Sequence, residues 1–301
     1  MDRTVVEMAG RRLPLSNLEK DLYPSYGFTK TEILDYYRRI ALFMLPHLKD
    51  RAVTFTRYPE GVGRDSFFEK RCPSHRPQWV RTATVVHGDA EPMTMCVIND
   101  LATLLWTGNL AALELHVPLA RAGSPETPDS LVFDLDPGAG AGLWESSRVA
   151  LILRDLLSRM GLLTYVKTSG KKGLHVFVPL NRKDATFEQT RIFSKAVAEI
   201  MQKHYPNLVT AKMAKAFRAA RVFINWAQND AAKTMISVYS LRGREKPFVS
   251  FPLEWKAVED VAEHGDPEQL LVLPAEAIQR AETQGDLFQE VLVKEQKLPH
   301  L

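Results

Sequence analysis

Cysteine is nearly missing from this sequence: Cys72 and Cys96 are the only two in 301 residues. Two widely separated thiols make no disulfide framework and read as reduced cysteines of a cytosolic protein. Cys72-Pro-Ser-His75 has the spacing of half a zinc site, but no second half follows it. Long apolar runs are lacking too. The longest, Ile40 to Pro46, falls far short of the roughly 18 residues that a membrane span needs. Met1-Asp2-Arg3-Thr4 carries no apolar segment of the kind that directs secretion. The expectation is a cytoplasmic protein with no membrane partner. No internal repeat and no low-complexity tract occurs. Hydrophobic residues make up 45% and charged residues 25%, a globular balance that excludes intrinsic disorder.

Net charge is also small, with Lys+Arg 39 against Asp+Glu 36 leaving +3. Its distribution is uneven. Between Thr210 and Lys246 stand Lys212, Lys215, Arg218, Arg221, Lys233, Arg242, Arg244 and Lys246, opposed only by Asp230 and Glu245. Such a stripe is either a solvated helix face or the footprint of a polyphosphate or nucleic-acid partner.

The length allows two domains or one large one with subdomains. Apolar periodicity predicts helices over Lys30–Leu48 (opened by Thr29), Asn99–Leu113, about Glu145–Met160 and about Thr186–His204. Strands are predicted over Ala52–Tyr58, Leu131–Asp136, Leu163–Lys167, Leu174–Leu180, Arg221–Trp226 and Met235–Leu241, with a mainly helical stretch after residue 256. Pro125 to Asp129 punctuates the chain as a lobe boundary. This order argues an α+β fold, central and mainly antiparallel sheets flanked by helices, rather than a doubly wound sheet.

Three segments carry candidate chemistry. In Leu131-Val-Phe-Asp-Leu-Asp136-Pro137, strand alternation projects Asp134 and Asp136 from one face while Phe133 and Leu135 pack on the other. Two carboxylates so placed can ligate hard cations; the alternative is a solvated loop. In Thr168-Ser-Gly-Lys-Lys-Gly-Leu-His175, two glycines let successive N–H groups form an anion nest, with Ser169, the lysines and His175 as further donors. An ordinary hairpin turn has the same composition. In Arg221-Val-Phe-Ile-Asn225-Trp-Ala-Gln228, the amide on an apolar strand needs a partner, and Asn225 and His116 are candidates to face the carboxylates. Arg242 and Arg244 suit phosphate forks. Phe67-Phe68 is either a stacking platform for bases or an apolar pair in the core.

In sequence order, Phe67-Phe-Glu-Lys70, Glu114-Leu-His116, Asp134-Leu-Asp-Pro137, Thr168-Ser-Gly-Lys-Lys-Gly-Leu-His175 and Tyr239-Ser-Leu-Arg-Gly-Arg244 resemble the polymerase domain of bacterial ligase D, in the archaeo-eukaryotic primase superfamily. The resemblance runs from Leu15 to Trp255 and implies a primase-polymerase fold. It implies a single domain over 1–301, with an N-terminal lobe 1–124, a catalytic core 125–255 and a C-terminal helical segment 256–301. The implied activity is a template-dependent nucleotidyltransferase of non-homologous end joining. It would fill gaps and extend broken DNA ends, favour ribonucleotides among nucleoside triphosphates, and use manganese or magnesium in a two-metal site.

By position, the resemblance makes Asp134 and Asp136 metal ligands. Ser169, Gly170, Lys172 and His175 become triphosphate contacts, and His116 lies near the ribose 2′-hydroxyl. Arg218, Gln228, Arg242 and Arg244 become further nucleotide or phosphate contacts. Lys20 and Lys30 hold the 5′-phosphate of the downstream strand, with Phe67 and Phe68 as a wedge on the template. Implied partners are Ku and the ligase and nuclease domains of ligase D; location would be cytoplasmic and nucleoid-associated. With neither of those domains in these 301 residues, the expectation is a stand-alone polymerase or an excised domain.

One position departs from the pattern. Asn225 stands where the family carries its third metal-binding aspartate. An amide can ligate a cation through its oxygen but brings no charge, so nucleotide binding should survive while chemistry is severely slowed. Asp230 has no strand-alternation reason to substitute. The alternative function is a non-extending module that recognises and bridges 5′-phosphorylated ends. An unrelated two-metal nuclease or phosphatase would need ligands that the sequence lacks.

Overall fold

Thr29 opens the helix Lys30–Leu48 with a reciprocal cap, its hydroxyl taking the Glu32 N–H while Glu32 Oε2 takes the Thr29 N–H at 2.7 Å. The same device, Thr186 with Gln189, opens Phe187–His204. Glu145 reaches back to the Gly142 N–H at 2.7 Å to start Leu143–Arg159. Each cap satisfies donors that a helix start leaves open, and each is worth roughly 1 kcal/mol.

The computed structural model describes residues 3–86 and 91–299; Met1 and Asp2 of the N-terminal segment read above lie outside them. Among the described residues no helix is long and apolar enough to cross a membrane. The chain forms two compact units. Met1–Gly123, Thr234–Val249 and Leu273–Gly285 make the first; Ser124–Lys233, Ser250–Val272 and Asp286–Leu301 make the second. The sequence divides instead into consecutive lobes. The difference arises because Met235–Ile236 pairs with Ala112–Val117, and helix Pro274–Gln284 packs on Lys30–Leu48.

In the first unit a four-stranded antiparallel sheet runs in the order Met235–Ile236, Ala112–Val117, Thr54–Arg57, Phe67–Glu69. Helix Lys30–Leu48 buries Ile33, Tyr37, Ile40 and Met44 and packs against helix Leu101–Asn109. A hairpin of Arg3–Met8 with Arg11–Ser16 and another of Thr82–Val85 with Met93–Cys96 complete it, with the short pair Asp21–Tyr23 and Phe28–Thr29.

The second unit holds a six-stranded sheet in the order Val209–Thr210, Val222–Asn225, Ser130–Pro137, Leu174–Pro179, Tyr165–Thr168, Pro252–Leu253. Only the first pair is parallel. Leu131, Val132, Phe133 and Leu135 are fully buried, as are Val149, Leu153 and Leu157 of the helix packed on that strand. Each such side chain contributes roughly 1.5–3 kcal/mol. The α+β, mainly antiparallel architecture agrees with the sequence reading.

Local differences have local causes. The helix expected over Asn99–Leu113 ends at Asn109, because Ala111 takes a left-handed φ of 57° and turns the chain into a strand. The strand expected over Met235–Leu241 stops after two residues, since Tyr239 has φ 64° and Ser240 N–H closes a turn on the Ser237 carbonyl. Cys72 and Cys96 are not reduced thiols: they form a disulfide. The Cys72 N–H donates to the Thr94 carbonyl, which lays the 72 segment beside the strand that carries Cys96.

Candidate active site

The antiparallel register sets Asp134 opposite His175 on one side and Asn225 on the other, and His175 opposite Lys167 beyond. Directly paired residues share a sheet face, so four polar side chains form one row across the second unit. His175 Nε2 lies 3.4 Å from Asp134 Oδ1, and Asn225 Nδ2 donates to Asp134 Oδ2 at 3.1 Å. Lys167, fully buried, donates to Ser250 Oγ, which donates in turn to the Thr168 carbonyl. Burial pushes the Asp134 carboxyl up, but His175, the Asn225 amide and the Lys167 charge outweigh it and hold the carboxyl below its usual range.

Asp136, two residues on, faces the same way. Arg218 Nη1 donates to its Oδ2 at 3.1 Å, and Lys172 Nζ lies 3.7 Å from Oδ1. The Arg218 guanidinium also stacks 3.8 Å over the Phe223 ring. Two glycines make this proximity possible. A Cβ on Gly138 would fall 1.8 Å from the Arg218 carbonyl, and one on Gly173 would fall 2.2 Å from the Leu135 carbonyl.

The 168–173 loop differs from the expected anion nest. Ser169 Oγ accepts the N–H groups of Lys171 and Gly173, and Thr168 Oγ1 accepts that of Gly170. Those donors are used inside the loop, and the Lys172 ammonium donates to the Pro137 carbonyl. Gln228 sits in the turn Trp226–Gln228 after Asn225, and Asp230 caps its own turn at the Ala232 N–H.

The first unit gathers the remaining predicted residues. Phe67 and Phe68 are 42% and 50% exposed, which removes the core alternative. Arg57 lies 4.9 Å over the Phe67 ring and bonds Glu69, and the Phe68 ring meets His116 edge-on at 5.4 Å. His116 Nε2 lies 3.2 Å from both Glu114 Oε2 and Thr56 Oγ1. Arg242 is buried beside Glu114, with Arg244 exposed two residues on. Lys30 is also buried. Its ammonium donates to the carbonyls of Ser16 and Asn109, while Lys20 pairs with Glu60 at 2.8 Å. Burial, then Lys20 and Arg57, lower the Lys30 pKa, so three cations converge there. Arg57 escaped the sequence reading. Its signal was a lone cation at the end of the strand that pairs with the aromatic one.

A scan against family models matches residues 29–288 to the LigD primase-polymerase domain. The chain belongs to the LigD primase-polymerase domain family. It is 40% identical over 279 residues to the multifunctional non-homologous end joining protein LigD of Mycolicibacterium smegmatis, covering 92% of this chain and 36% of that protein. The bifunctional LigD of Bacillus subtilis is 34% identical over 248 residues, 82% of this chain and 40% of that protein. The chain therefore spans well under half the length of these relatives. Among solved structures, the polymerase domain of Mycobacterium tuberculosis ligase D in complex with DNA superposes with a TM-score of 0.87 at 38% identity. The match covers 95% of this chain and 99% of that one.

A primase-polymerase site calls for divalent cations. Asp134 and Asp136 offer hard oxygen donors suited to one such ion. Among the described residues no group of three His, Cys, Asp or Glu could hold a metal. The Asn225 amide also presents nitrogen, not oxygen, toward Asp134. The residues thus fit one cation and not a carboxylate-held pair.

Proposed function

We propose that residues 1–301 act as one polymerase domain that binds 5′-phosphorylated DNA gaps or broken ends together with a nucleoside triphosphate, ribonucleotides favoured. The reaction is template-directed transfer of a nucleoside monophosphate to a 3′-hydroxyl with release of pyrophosphate, in end-joining repair, and Asn225 severely slows it. The observation that carries this reading is the carboxylate pair Asp134 and Asp136 on one strand face, met by Arg218, Lys172 and His175. Manganese or magnesium bound there would neutralise charge on the transferred phosphate.

The chain's own residues do the rest. Asp134 and Asp136 would hold the cation, and Arg218 and Lys172 beside Asp136 would contact phosphate oxygens. His175 supplies a further donor toward the leaving pyrophosphate, with Ser169, Gly170 and Gln228 around the nucleotide and Arg242 and Arg244 as phosphate contacts. In the first unit, His116 meets the sugar, Phe67 and Phe68 stack on the template, and Lys20 and Lys30 hold the 5′-phosphate. Ku and the ligase and nuclease domains of ligase D are the proposed partners, in the cytoplasm at the nucleoid.

The Asn225 amide bonded to Asp134 favours a second reading, an end-binding and bridging module that does not extend. Single-turnover extension of a gapped, 5′-phosphorylated DNA with ATP and manganese separates the two, comparing this chain with Asn225→Asp. Extension by the variant alone supports a disabled polymerase. Equal extension by both overturns the role given to Asn225. Binding without extension by either moves the bridging reading to the front.

A further inference from the structure

Cys72 follows closely on Glu69, the end of the edge strand Phe67–Glu69 that carries the two exposed phenylalanines. That strand pairs with Thr54–Arg57, setting Phe67 opposite Arg57, Phe68 opposite Thr56 and Glu69 opposite Phe55. Beyond it, residues 70–81 form neither helix nor strand. So short a pairing is a weak hold on an edge strand, and a slip of one residue would turn each side chain to the opposite face.

The disulfide to Cys96 adds a second hold. Cys96 is fully buried, stands opposite Thr82 in its hairpin, and accepts the Val53 N–H at 2.9 Å. Val53 leads directly into Thr54–Arg57. A closed circuit results. It runs from Phe67–Glu69 to Cys72, across the sulfurs to Cys96, through Val53 into Thr54–Arg57, and back across the sheet pairing. The bond thereby fixes the register in which Arg57 lies over the Phe67 ring and Phe68 meets His116. Cys72 is the member nearer solvent, 9% exposed against 0% for Cys96. Disulfides persist in oxidising surroundings and are opened by dithiols in reducing ones, so the state of this stitch follows its surroundings.

We propose that Cys72–Cys96 is a reversible redox site that a dithiol opens, and that its state sets how firmly Phe67 and Phe68 are held against a template base. This rests on the reading that the two phenylalanines stack on the template. In the exchange, a thiolate of the dithiol attacks the Cys72 sulfur, forms a mixed disulfide and releases Cys96 as a thiolate, which takes up a proton. The second thiol of the reagent then attacks its own sulfur in the mixed disulfide, closing a cyclic disulfide and releasing the Cys72 thiol. The protein gains two electrons and two protons, and the dithiol loses both. The Cys72 N–H contact to the Thr94 carbonyl remains, but one backbone hydrogen bond holds far less than a covalent link, and the edge strand is free to slip.

Thiol alkylation and mass measurement on the folded, unmodified protein give the first test. The bond is present in oxidising buffer, opens in dithiothreitol without denaturant, and re-forms when the reductant is removed. Cysteines that stay reduced in oxidising buffer, or a bond that resists native reduction, overturn the proposal. The second test compares gapped-DNA affinity of the oxidised and reduced protein, of Cys72→Ser/Cys96→Ser and of Phe67→Ala/Phe68→Ala. Reduction weakens binding by the unmodified protein about fivefold or more. The serine variant binds like the reduced protein in both buffers, and the alanine variant binds weakly with no redox dependence. Equal affinity of oxidised and reduced protein, with loss in the alanine variant, overturns the redox role and leaves the stacking reading standing. Full affinity in the alanine variant defeats the stacking reading and the proposal with it. A redox effect that persists undiminished in the alanine variant shows that the bond acts elsewhere, which also overturns the proposal. If the serine variant does not fold, the reduced unmodified protein decides.

Discussion

The Asn225 side chain donates its amide to Asp134 Oδ2 at 3.1 Å, across a pair that the sheet register places directly opposite. The amide supplies a donor where a carboxylate would repel, so Asp134 is satisfied by its neighbours alone.

Asn225→Asp reverses that balance. Two facing carboxylates repel until a cation joins them. The variant should melt below the parent in chelator, and manganese should raise its melting temperature by more than it raises the parent's. Single-turnover extension should rise by roughly a hundredfold or more. An equal manganese shift in both proteins would contradict the charge argument.

Lys20 and Lys30 separate recognition from stability. The Lys20 partner Glu60 is exposed, so Lys20→Ala should change stability by less than about 1 kcal/mol. It should reduce the salt dependence of gapped-DNA binding by about one unit of slope and weaken the preference for a 5′-phosphate. Lys30→Ala also strips the donor from the Ser16 and Asn109 carbonyls, at roughly 1–3 kcal/mol in urea unfolding. Equal affinity of Lys20→Ala and parent for phosphorylated and unphosphorylated gaps, with equal salt slopes, would remove Lys20 from the phosphate site.

Asp100 gives a pH signature. It caps helix Leu101–Asn109 through the Thr103 N–H and pairs with Arg11 at 2.6 Å. Burial pushes its carboxyl up, but Arg11 and Thr103 outweigh burial and hold it below the usual carboxylate range. A depressed folded pKa means stability that is fully present above the unfolded value and lost as pH falls through the folded one. Asp100→Ala should cost about 1 kcal/mol at neutral pH. That difference from the parent, read from urea midpoints, should narrow steadily as pH falls below the usual carboxylate range. A constant difference down to acid pH would show that the carboxylate charge is not what stabilises the cap.

Asn229 extends the sheet past the end of its strand. Its Oδ1 accepts the Val132 N–H at 2.8 Å and its Nδ2 donates to the Val132 carbonyl at 2.7 Å, as another strand would. This holds the strand that carries Asp134 just before the pairing with Asn225 begins. Asn229→Ala leaves a buried N–H and C=O unpaired and should cost roughly 3 kcal/mol in denaturant unfolding. Asn229→Asp keeps the acceptor but loses the donor, and should fall between parent and alanine. Full stability of the alanine variant would show that another group satisfies Val132.

The sequence was most legible where local chemistry decides structure. Thr29 and Glu32 mark the start of Lys30–Leu48 at the observed residue, and alternation alone places Asp134 and Asp136 on one face. It was silent where distant pairing decides. The N-terminal hairpin Arg3–Ser16 turns at Ala9 and Gly10, both at positive φ, a conformation uncommon for alanine that composition does not announce. The Cys72–Cys96 bond depends on a loop laid against a strand edge, and cysteine spacing carries no such information. Glu114 stood in a recognised motif, yet its contacts with Arg242 and Gly243 come from chain more than a hundred residues on.

The first unit borrows two late segments, Thr234–Val249 and Leu273–Gly285, from beyond the whole first stretch of the second. During synthesis, then, residues 1–123 leave the ribosome long before Met235–Ile236 and helix Pro274–Gln284 exist. The Ala112–Val117 edge and one side of helix Lys30–Leu48 must wait for them. The second unit has its carboxylate strand and both neighbours by Asn225, so its sheet can assemble while the first unit is still unfinished. A nascent chain halted before Met235 would leave the Ala112–Val117 strand edge unpaired and open to chaperones or to aggregation.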